Sequence, residues 1–465
     1  MNNKSKTLMK NIGILTVSNF ASKILVFLLV PLYTSVLSTE EYGTYDLAVS
    51  TISLLFPILS LNIVDAVMRF MMDKECDNGQ IANIGVKFIV ISTIIFSVLT
   101  CLYCSFNISN MSGFQGYIIA YYLFYALNQF FIQLAKGLDK VKEMGIAGVL
   151  GTSVMIVLNV IFLCLFKWGL SGFFMANILS NAAPAIYLFV VLKGWRYFLR
   201  NKINYSVCHQ MLLYCTPLIA SVVGWWVNSG SDKYVVTFFC GVAANGVLSV
   251  AYKIPSILNT FQSIFIQAWQ ISAVKEYGER DNTIFYGQTF NVINILMCVV
   301  ASSLILFTRP LAHFLYANEF YVAWKFVPFL LVSSVLNCAS GFLGPILSAK
   351  KDSKSMAISA VYGAGVNIVL NIIFVYAIGA QGVTIATVIA SYIIYHIRKR
   401  AVSDDITIEK YNNTIITWGL LCLQAVLEVY VKIYWLEIIL ILIILVVNRK
   451  LIMSILKRIR KLFLK

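Results

Sequence analysis

Ile156-Val157-Leu158-Asn159-Val160-Ile161-Phe162 recurs as Ile368-Val369-Leu370-Asn371-Ile372-Ile373-Phe374, with a single Val-to-Ile exchange at an offset of 212 residues. Around this pair the correspondence continues in order. Met144 matches Met356, and Gly169, Gly172 and Ala176 match Gly379, Gly382 and Ala386. Nearer the N-terminus, Glu41-Tyr42-Gly43-Thr44-Tyr45-Asp46-Leu47-Ala48-Val49 aligns with Ala244-Asn245-Gly246-Val247-Leu248-Ser249-Val250-Ala251-Tyr252, at an offset of 203. Isolated apolar matches carry little weight, but matches that keep their order along two halves indicate an internal duplication.

The duplicated material is membrane-spanning. Of 465 residues, 60% are hydrophobic and 12% charged, too apolar for a soluble domain, a disulfide scaffold or a disordered chain. Hydropathy and helix breakers place spans near 12–37, 47–68, 84–106, 116–135, 144–166, 171–192, 211–230, 244–270, 285–308, 322–347, 356–378, 382–397, 414–431 and 435–448. The first is too long for a signal h-region and carries Lys23, so it reads as an uncleaved helix. The expected fold is an all-α polytopic membrane protein of about fourteen transmembrane helices. The copies begin at the first and seventh spans, so an even number of helices separates them and both enter in the same direction. Parallel repeats about an axis along the membrane normal are a transporter design. The boundaries are 1–210 for a six-helix bundle with its basic linker, 211–400 for the second bundle, and 401–465 for two added helices and a basic tail.

The net charge of +16 is read as topology. With these spans, 28 of the 36 Lys and Arg fall on one side, including the tail from Arg449 to Lys465. Only Lys167, Lys233, Arg309 and Lys432 fall on the other. By the positive-inside rule both termini are expected in the cytoplasm, with the chain in the cytoplasmic membrane rather than on nucleic acid. The tail sets Leu451, Ile452, Ile455, Leu456 and Ile459 opposite its bases, the pattern of an interfacial helix on anionic lipid.

No catalytic residue, cofactor or metal is expected. His209, His313 and His396 are far apart, no Gly-rich phosphate loop occurs, and Cys101 and Cys104 form a CxxC without partner ligands, read as packing. Function is sought instead in the polar minority of the spans. In the eighth span Ser249, Lys253, Ser256, Thr260, Ser263, Gln267 and Gln270 recur at helical spacing. The second span answers with Ser50, Ser53, Pro57 and Ser60, the first with Thr16, Asn19 and Lys23, and the seventh with Ser221, Trp225, Asn228 and Asp232. These faces are expected to line a common watery cavity. Lys23 lies about 16 Å into its helix, too deep to snorkel easily, where a lysine costs about 2.5–3.5 kcal/mol. It is either a cavity cation or the structural partner of Asp65 or Asp232. Lys253 is nearer a boundary and joins it as a cavity candidate. Asp65 and Arg69, four apart, are expected to form a helix-surface ion pair with a possible gating role, and Asp232 to cap the outer end of the seventh span. Glu428 and Glu437 face each other or headgroups. Asn159 and Asn371 read as interhelical hydrogen-bonders, and Trp225, Trp226 and Trp269 as packing or sugar-stacking rings. A cavity of lysines, hydroxyls and amides suits an anionic, hydroxyl-rich substrate.

Asn19-Phe20-Ala21-Ser22-Lys23, Pro31-Leu32-Tyr33, Glu41-Tyr42-Gly43, Thr216-Pro217-Leu218, Asp232-Lys233, Ala251-Tyr252-Lys253-Ile254-Pro255 and Gln267-Ala268-Trp269 resemble bacterial polysaccharide flippases of the Wzx type. That group shares a superfamily with multidrug/cation antiporters and the lipid II flippase. The resemblance implies two six-helix bundles forming a V, helices 13 and 14 appended, and alternating access. The implied cargo is an undecaprenyl-pyrophosphate-linked oligosaccharide, with membrane lipids, glycosyltransferases and a polysaccharide polymerase as partners. In the related lipid II flippase, basic residues of the first and eighth helices face the cavity, and Lys23 and Lys253 stand on those helices. That relative carries several arginines there, where this chain has fewer charges and only lysines. The alternatives are a drug or cation antiporter of the same superfamily, and a membrane-embedded polymerase, which the short outward loops argue against.

Overall fold

The computed structural model describes residues 23, 25–73, 77–105, 113–198, 204–277, 282–408, 411–454 and 457, and every regular element among them is helical. The chain separates into two compact units, Met1–Gly230 and Ser231–Lys465. The division falls inside a long helix, and residues 401–465 lie within the second unit.

In the first unit, α1 (Val30–Val36), α2 (Thr39–Leu59), α3 (Ile63–Met71), α4 (Asn78–Ser105), α5 (Gln115–Gly137), α6 (Val141–Asn159) and α7 (Gly169–Val191) follow one another, and α8 (Tyr205–Cys240) carries the chain into the second unit. The second continues with α9 (Val242–Ala251), α10 (Lys253–Lys275), α11 (Asn282–Leu306), α12 (Thr308–Leu315), α13 (Val327–Ala349), α14 (Ser353–Ile378), α15 (Gln381–Ala401), α16 (Tyr411–Val426) and α17 (Tyr434–Val447). Helix makes up most of each predicted span where the residues are described. Among the described residues ten helices are long and apolar enough to cross a membrane on their own, so the protein is a polytopic all-α membrane protein.

Two predicted spans are broken. The 47–68 segment divides between α2 and α3, because Pro57 cannot donate to the helix ladder and the chain turns through left-handed Leu61 and Asn62 (φ 50° and 52°). The 244–270 segment divides at Tyr252, one turn before Pro255, whose ring removes the hydrogen bond to Ala251. Both breaks fall in the same element of the repeat. Local chemistry sets helix starts as well. Ser38 and Glu41 form a reciprocal capping box on α2, with bonds of 2.8 and 3.1 Å. Asp352 accepts the Ser355 N–H at 3.0 Å, and this bonding, led by the Ser355 hydroxyl, holds the Asp352 carboxyl below its usual range.

The duplicated heptapeptides do the same work in both units. Gly169 and Gly379 both adopt positive φ, 53° and 67°, at the turn that follows the repeated segment. Three residues later, a Cβ on Gly172 would lie 3.0 Å from the Phe162 Cβ and 3.3 Å from its carbonyl oxygen. On Gly382 it would collide with the Phe374 carbonyl. Phe162 and Phe374 are the last residues of the two copies, so each copy ends where a glycine lets the next helix pack backbone to backbone.

Aromatic layers fill the first unit, with Phe96 stacked on Tyr122 at 4.1 Å and Phe173 edge-on to Tyr45 at 4.5 Å. In the second unit α13 is the central helix and is almost wholly buried. Trp269 is 3% exposed, lies 4.3 Å from the Phe342 ring and donates its indole N–H to the Phe342 carbonyl at 2.9 Å. It is a packing residue, not a free stacking platform for sugar.

Candidate functional site

The second unit holds a buried carboxylate network. Asp232 does not end a helix: α8 runs on to Cys240, and the side chain is 3% exposed. Its Oδ1 accepts from Asn371 Nδ2 at 2.7 Å. Its Oδ2 accepts from the Thr387 hydroxyl at 2.9 Å and the Tyr252 hydroxyl at 3.0 Å. Behind these, Asn367 Oδ1 accepts from Asn371 at 3.0 Å and from Ser231 at 3.3 Å. Four elements thus converge on one carboxylate: α8, the Tyr252 joint between α9 and α10, α14 through Asn367 and Asn371, and α15 through Thr387.

The chemistry of this cluster is specific. Every donor to Asp232 is neutral, and among the described residues no basic group forms an ion pair with it. A carboxylate held in an apolar bundle by neutral donors alone calls for a proton or a small cation. The oxygens at hand are those of the carboxylate, two amides and hydroxyls, a hard donor set, and Asn371 Oδ1 is buried without a hydrogen-bond partner. No group of three His, Cys, Asp or Glu able to hold a metal occurs among the described residues.

Lys253 begins α10 and is half-buried, directly after the tyrosine that reaches Asp232. Ser256 is exposed and donates to the Lys253 carbonyl at 2.6 Å, whereas Thr260 is buried and donates to the Ser256 carbonyl at 2.8 Å. The stripe therefore satisfies its hydroxyls within its own helix and leaves lone pairs outward. The α9–α10 joint links this cationic face to the carboxylate network.

In the first unit Lys23 is exposed on helix. Asn19 and Thr16 lie outside the described residues, as does the side chain of Asn228, which stands on α8. Asp65 accepts from Asn62 Nδ2 at 2.8 Å and from Gln133 Nε2 at 3.0 Å, tying α3 to α5. Arg69 is exposed, and among the described residues no ion pair joins it to Asp65; the amides take the carboxylate instead. The counterpart stripe on α2 is largely buried: Ser50, Pro57 and Ser60 face protein, while Ser53 accepts the Trp226 indole N–H at 3.0 Å. Asn159 bonds back to its own helix at Met155, 2.7 Å, so of the duplicated asparagines only Asn371 bonds across helices.

Arg309, at the start of α12, donates to buried Glu428 at 2.9 Å and to its backbone carbonyl at 2.8 Å. The guanidinium also lies over the Trp324 and Tyr434 rings at 5.0 and 5.1 Å. Glu437 of α17 is fully buried beside Glu428, which bears out the facing of the two acids rather than a headgroup contact. This cluster clamps the added helices to the second unit.

Residues missed as site members were Tyr252, Asn367 and Thr387. The signal for Asn367 was present, since it sits one helical turn from Asn371 on one face. Thr387 looked like any helix-packing hydroxyl.

Helical units with polar groups buried among apolar helices define a polytopic all-α membrane protein. Solved structures carry the same fold. The lipid II flippase MurJ in an inward closed conformation matches at 14% identity with a TM-score of 0.67, covering 94% of this chain and 99% of that one. An inward-facing multidrug resistance transporter of the MATE family matches at 16% identity and 0.64, covering 84% and 95%. A superfamily transporter from Pyrococcus furiosus, described as having a binding pocket of reversed polarity, matches at 16% and 0.59, covering 85% and 96%. No curated relative matches the chain. Residues 8–271 match the family model for polysaccharide biosynthesis proteins, and the chain belongs to that family.

Proposed function

We propose that the protein is a flippase for undecaprenyl-pyrophosphate-linked oligosaccharide units. It would work by alternating access in the cytoplasmic membrane, with both termini inside, and supply a surface polysaccharide pathway. The observation that carries this reading is the polysaccharide-family match over residues 8–271. The likeness to the lipid II flippase over 94% of this chain, against 84% for the multidrug resistance transporter cited, supports a lipid-linked cargo over a soluble drug. Lys23 and Lys253, with Asn19, Asn228, Ser256 and Thr260, are the proposed cargo contacts. Lysine would meet the pyrophosphate as a point charge, and amides and hydroxyls would exchange hydrogen bonds with sugar. Glycosyltransferases and a polymerase of the pathway are the proposed partners upstream and downstream.

Asp232 is the proposed coupling site. Loading it with a proton or a monovalent cation would neutralise the buried charge, and its bond to Tyr252 would pass that change to the joint ahead of Lys253. The same carboxylate favours a second reading, cation-coupled export of a small molecule.

The test is deletion of the gene followed by chemical identification of the lipid-linked intermediate that accumulates. The flippase reading expects a pyrophosphate-linked oligosaccharide on the cytoplasmic leaflet, cleared by the wild-type gene but not by Lys23→Ala or Lys253→Glu variants that insert normally. No accumulated intermediate, together with export of a soluble compound, would favour the second reading.

A further inference from the structure

We infer that the end of the second unit where α11, α16 and α17 meet is a binding site for a phosphate-bearing lipid headgroup. A cavity of about 540 Å³ opens there, within the size range of small-ligand sites. Its polar wall includes Asn294 of α11, Asn413 of α16, and Asn448, Arg449 and Lys450 just beyond α17. Two cations and no Asp or Glu line it, so the cavity selects an anion.

The amides are set by bonds behind the wall. Asn294 is 7% exposed and its Oδ1 accepts the Trp418 indole N–H at 3.0 Å, which turns its Nδ2 into a donor for a ligand. Asn448 closes α17 and donates to Thr417 at 2.9 Å, fixing the bend that brings Arg449 and Lys450 to the mouth. Asn413 donates to the Val447 carbonyl at 3.2 Å, holding the start of α16 against the end of α17. Two of the three helices belong to segments long and apolar enough to cross a membrane, so the cavity sits at a membrane-facing helix end, at headgroup level. Val446 and Leu451 supply an aliphatic edge, which suits the first carbons of a lipid tail and not a soluble anion. The same chemistry belongs to two sources, an anionic phospholipid and a polyprenyl pyrophosphate. The inference stands apart from the proposed cargo, because either source satisfies it.

The full-length protein in detergent is titrated with farnesyl pyrophosphate, phosphatidylglycerol, inorganic pyrophosphate and uncharged diacylglycerol, and bound copies are counted by native mass spectrometry. The phosphate-bearing lipids are expected to bind ahead of diacylglycerol. Farnesyl pyrophosphate ahead of phosphatidylglycerol assigns the site to the carrier lipid; equal binding assigns it to phosphate lipids in general. Arg449→Gln is expected to weaken binding about tenfold by removing a charge-assisted bond. Ser454→Trp, which fills the cavity and leaves its charge intact, is expected to do the same. Lys457→Gln removes an equal charge away from the cavity lining and is expected to change affinity less than about twofold. Equal losses for Arg449→Gln and Lys457→Gln would reduce the effect to general surface charge and overturn the site. So would undiminished binding in Ser454→Trp, or inorganic pyrophosphate binding as tightly as the lipids.

Discussion

Replacing Asp232 separates structure from coupling. In Asp232→Ala three hydrogen bonds to Asn371, Thr387 and Tyr252 disappear. Between membrane helices such bonds average about 0.6 kcal/mol, which gives about 2 kcal/mol for the three. Thr387 keeps its second bond, to the Val383 carbonyl at 2.8 Å, and Asn371 keeps Asn367, but Asn371 loses an acceptor in a buried site. A stranded buried donor costs about 1–3 kcal/mol, so the expected loss is about 2–4 kcal/mol. Asp232→Asn behaves differently. The hydroxyls of Tyr252 and Thr387 can each rotate to accept from the new amide, and its oxygen can still take the Asn371 N–H, so the network closes with a loss of about 1 kcal/mol or less. The charge, however, is gone. Thermal unfolding in detergent, followed by tryptophan fluorescence, is expected to rank wild type and Asp232→Asn close together and Asp232→Ala well below. Transport in vesicles is expected to lose its dependence on the proton or sodium gradient in both variants. An Asp232→Asn protein that keeps gradient-driven transport would refute the coupling assignment, and an Asp232→Ala protein as stable as wild type would refute the energetic reasoning.

Three further outcomes follow from the packing and the buried charges. Gly382→Ala is expected to lower stability by about 1–3 kcal/mol through overpacking against the Phe374 carbonyl, Gly172→Ala by less, and Gly365→Ala hardly at all because its Cβ would meet open space; thermal midpoints in one detergent check the order. Arg309→Leu strands Glu428 and is expected to cost about 3–5 kcal/mol, whereas Arg309→Leu with Glu428→Leu recovers most of the loss, as a double-mutant cycle would show. Lys23→Ala and Lys253→Glu are expected to insert normally and block export of the lipid-linked intermediate, read by surface-polymer yield; normal yield from both would remove the lysines from the cargo site.

Much of the architecture is legible in the chain because membrane helices obey local rules. Apolar length, basic loops and helix breakers are read residue by residue, and helix stands where the spans were placed. The duplication was legible for the same reason, and its structural meaning, Phe162 against Gly172 and Phe374 against Gly382, follows from glycines that sequence order alone aligned. The breaks at Asn62 and Tyr252 were missed because a proline inside an apolar segment kinks or interrupts a helix according to what packs around it.

The site was less legible. Asp65 and Arg69 have ion-pair spacing, but amides from Asn62 and Gln133 reach the carboxylate first, and spacing along one helix cannot reveal a donor from another. Trp269 had the composition of a sugar platform and is spent on Phe342. Asn159 and Asn371 are equivalent letters in equivalent copies, yet only Asn371 meets an acid, since the position matching Asp232 in the first copy is apolar Leu29 at the 203 offset.

The sequence by itself determined that the chain crosses membranes as repeated helices, and which few polar residues lie inside them, because burial in lipid penalises every exception locally. Only the tertiary structure decided which exceptions meet. Asp232, Tyr252, Asn371 and Thr387 are separated by up to 155 residues, and their shared site exists because four helix segments pack side by side in one unit.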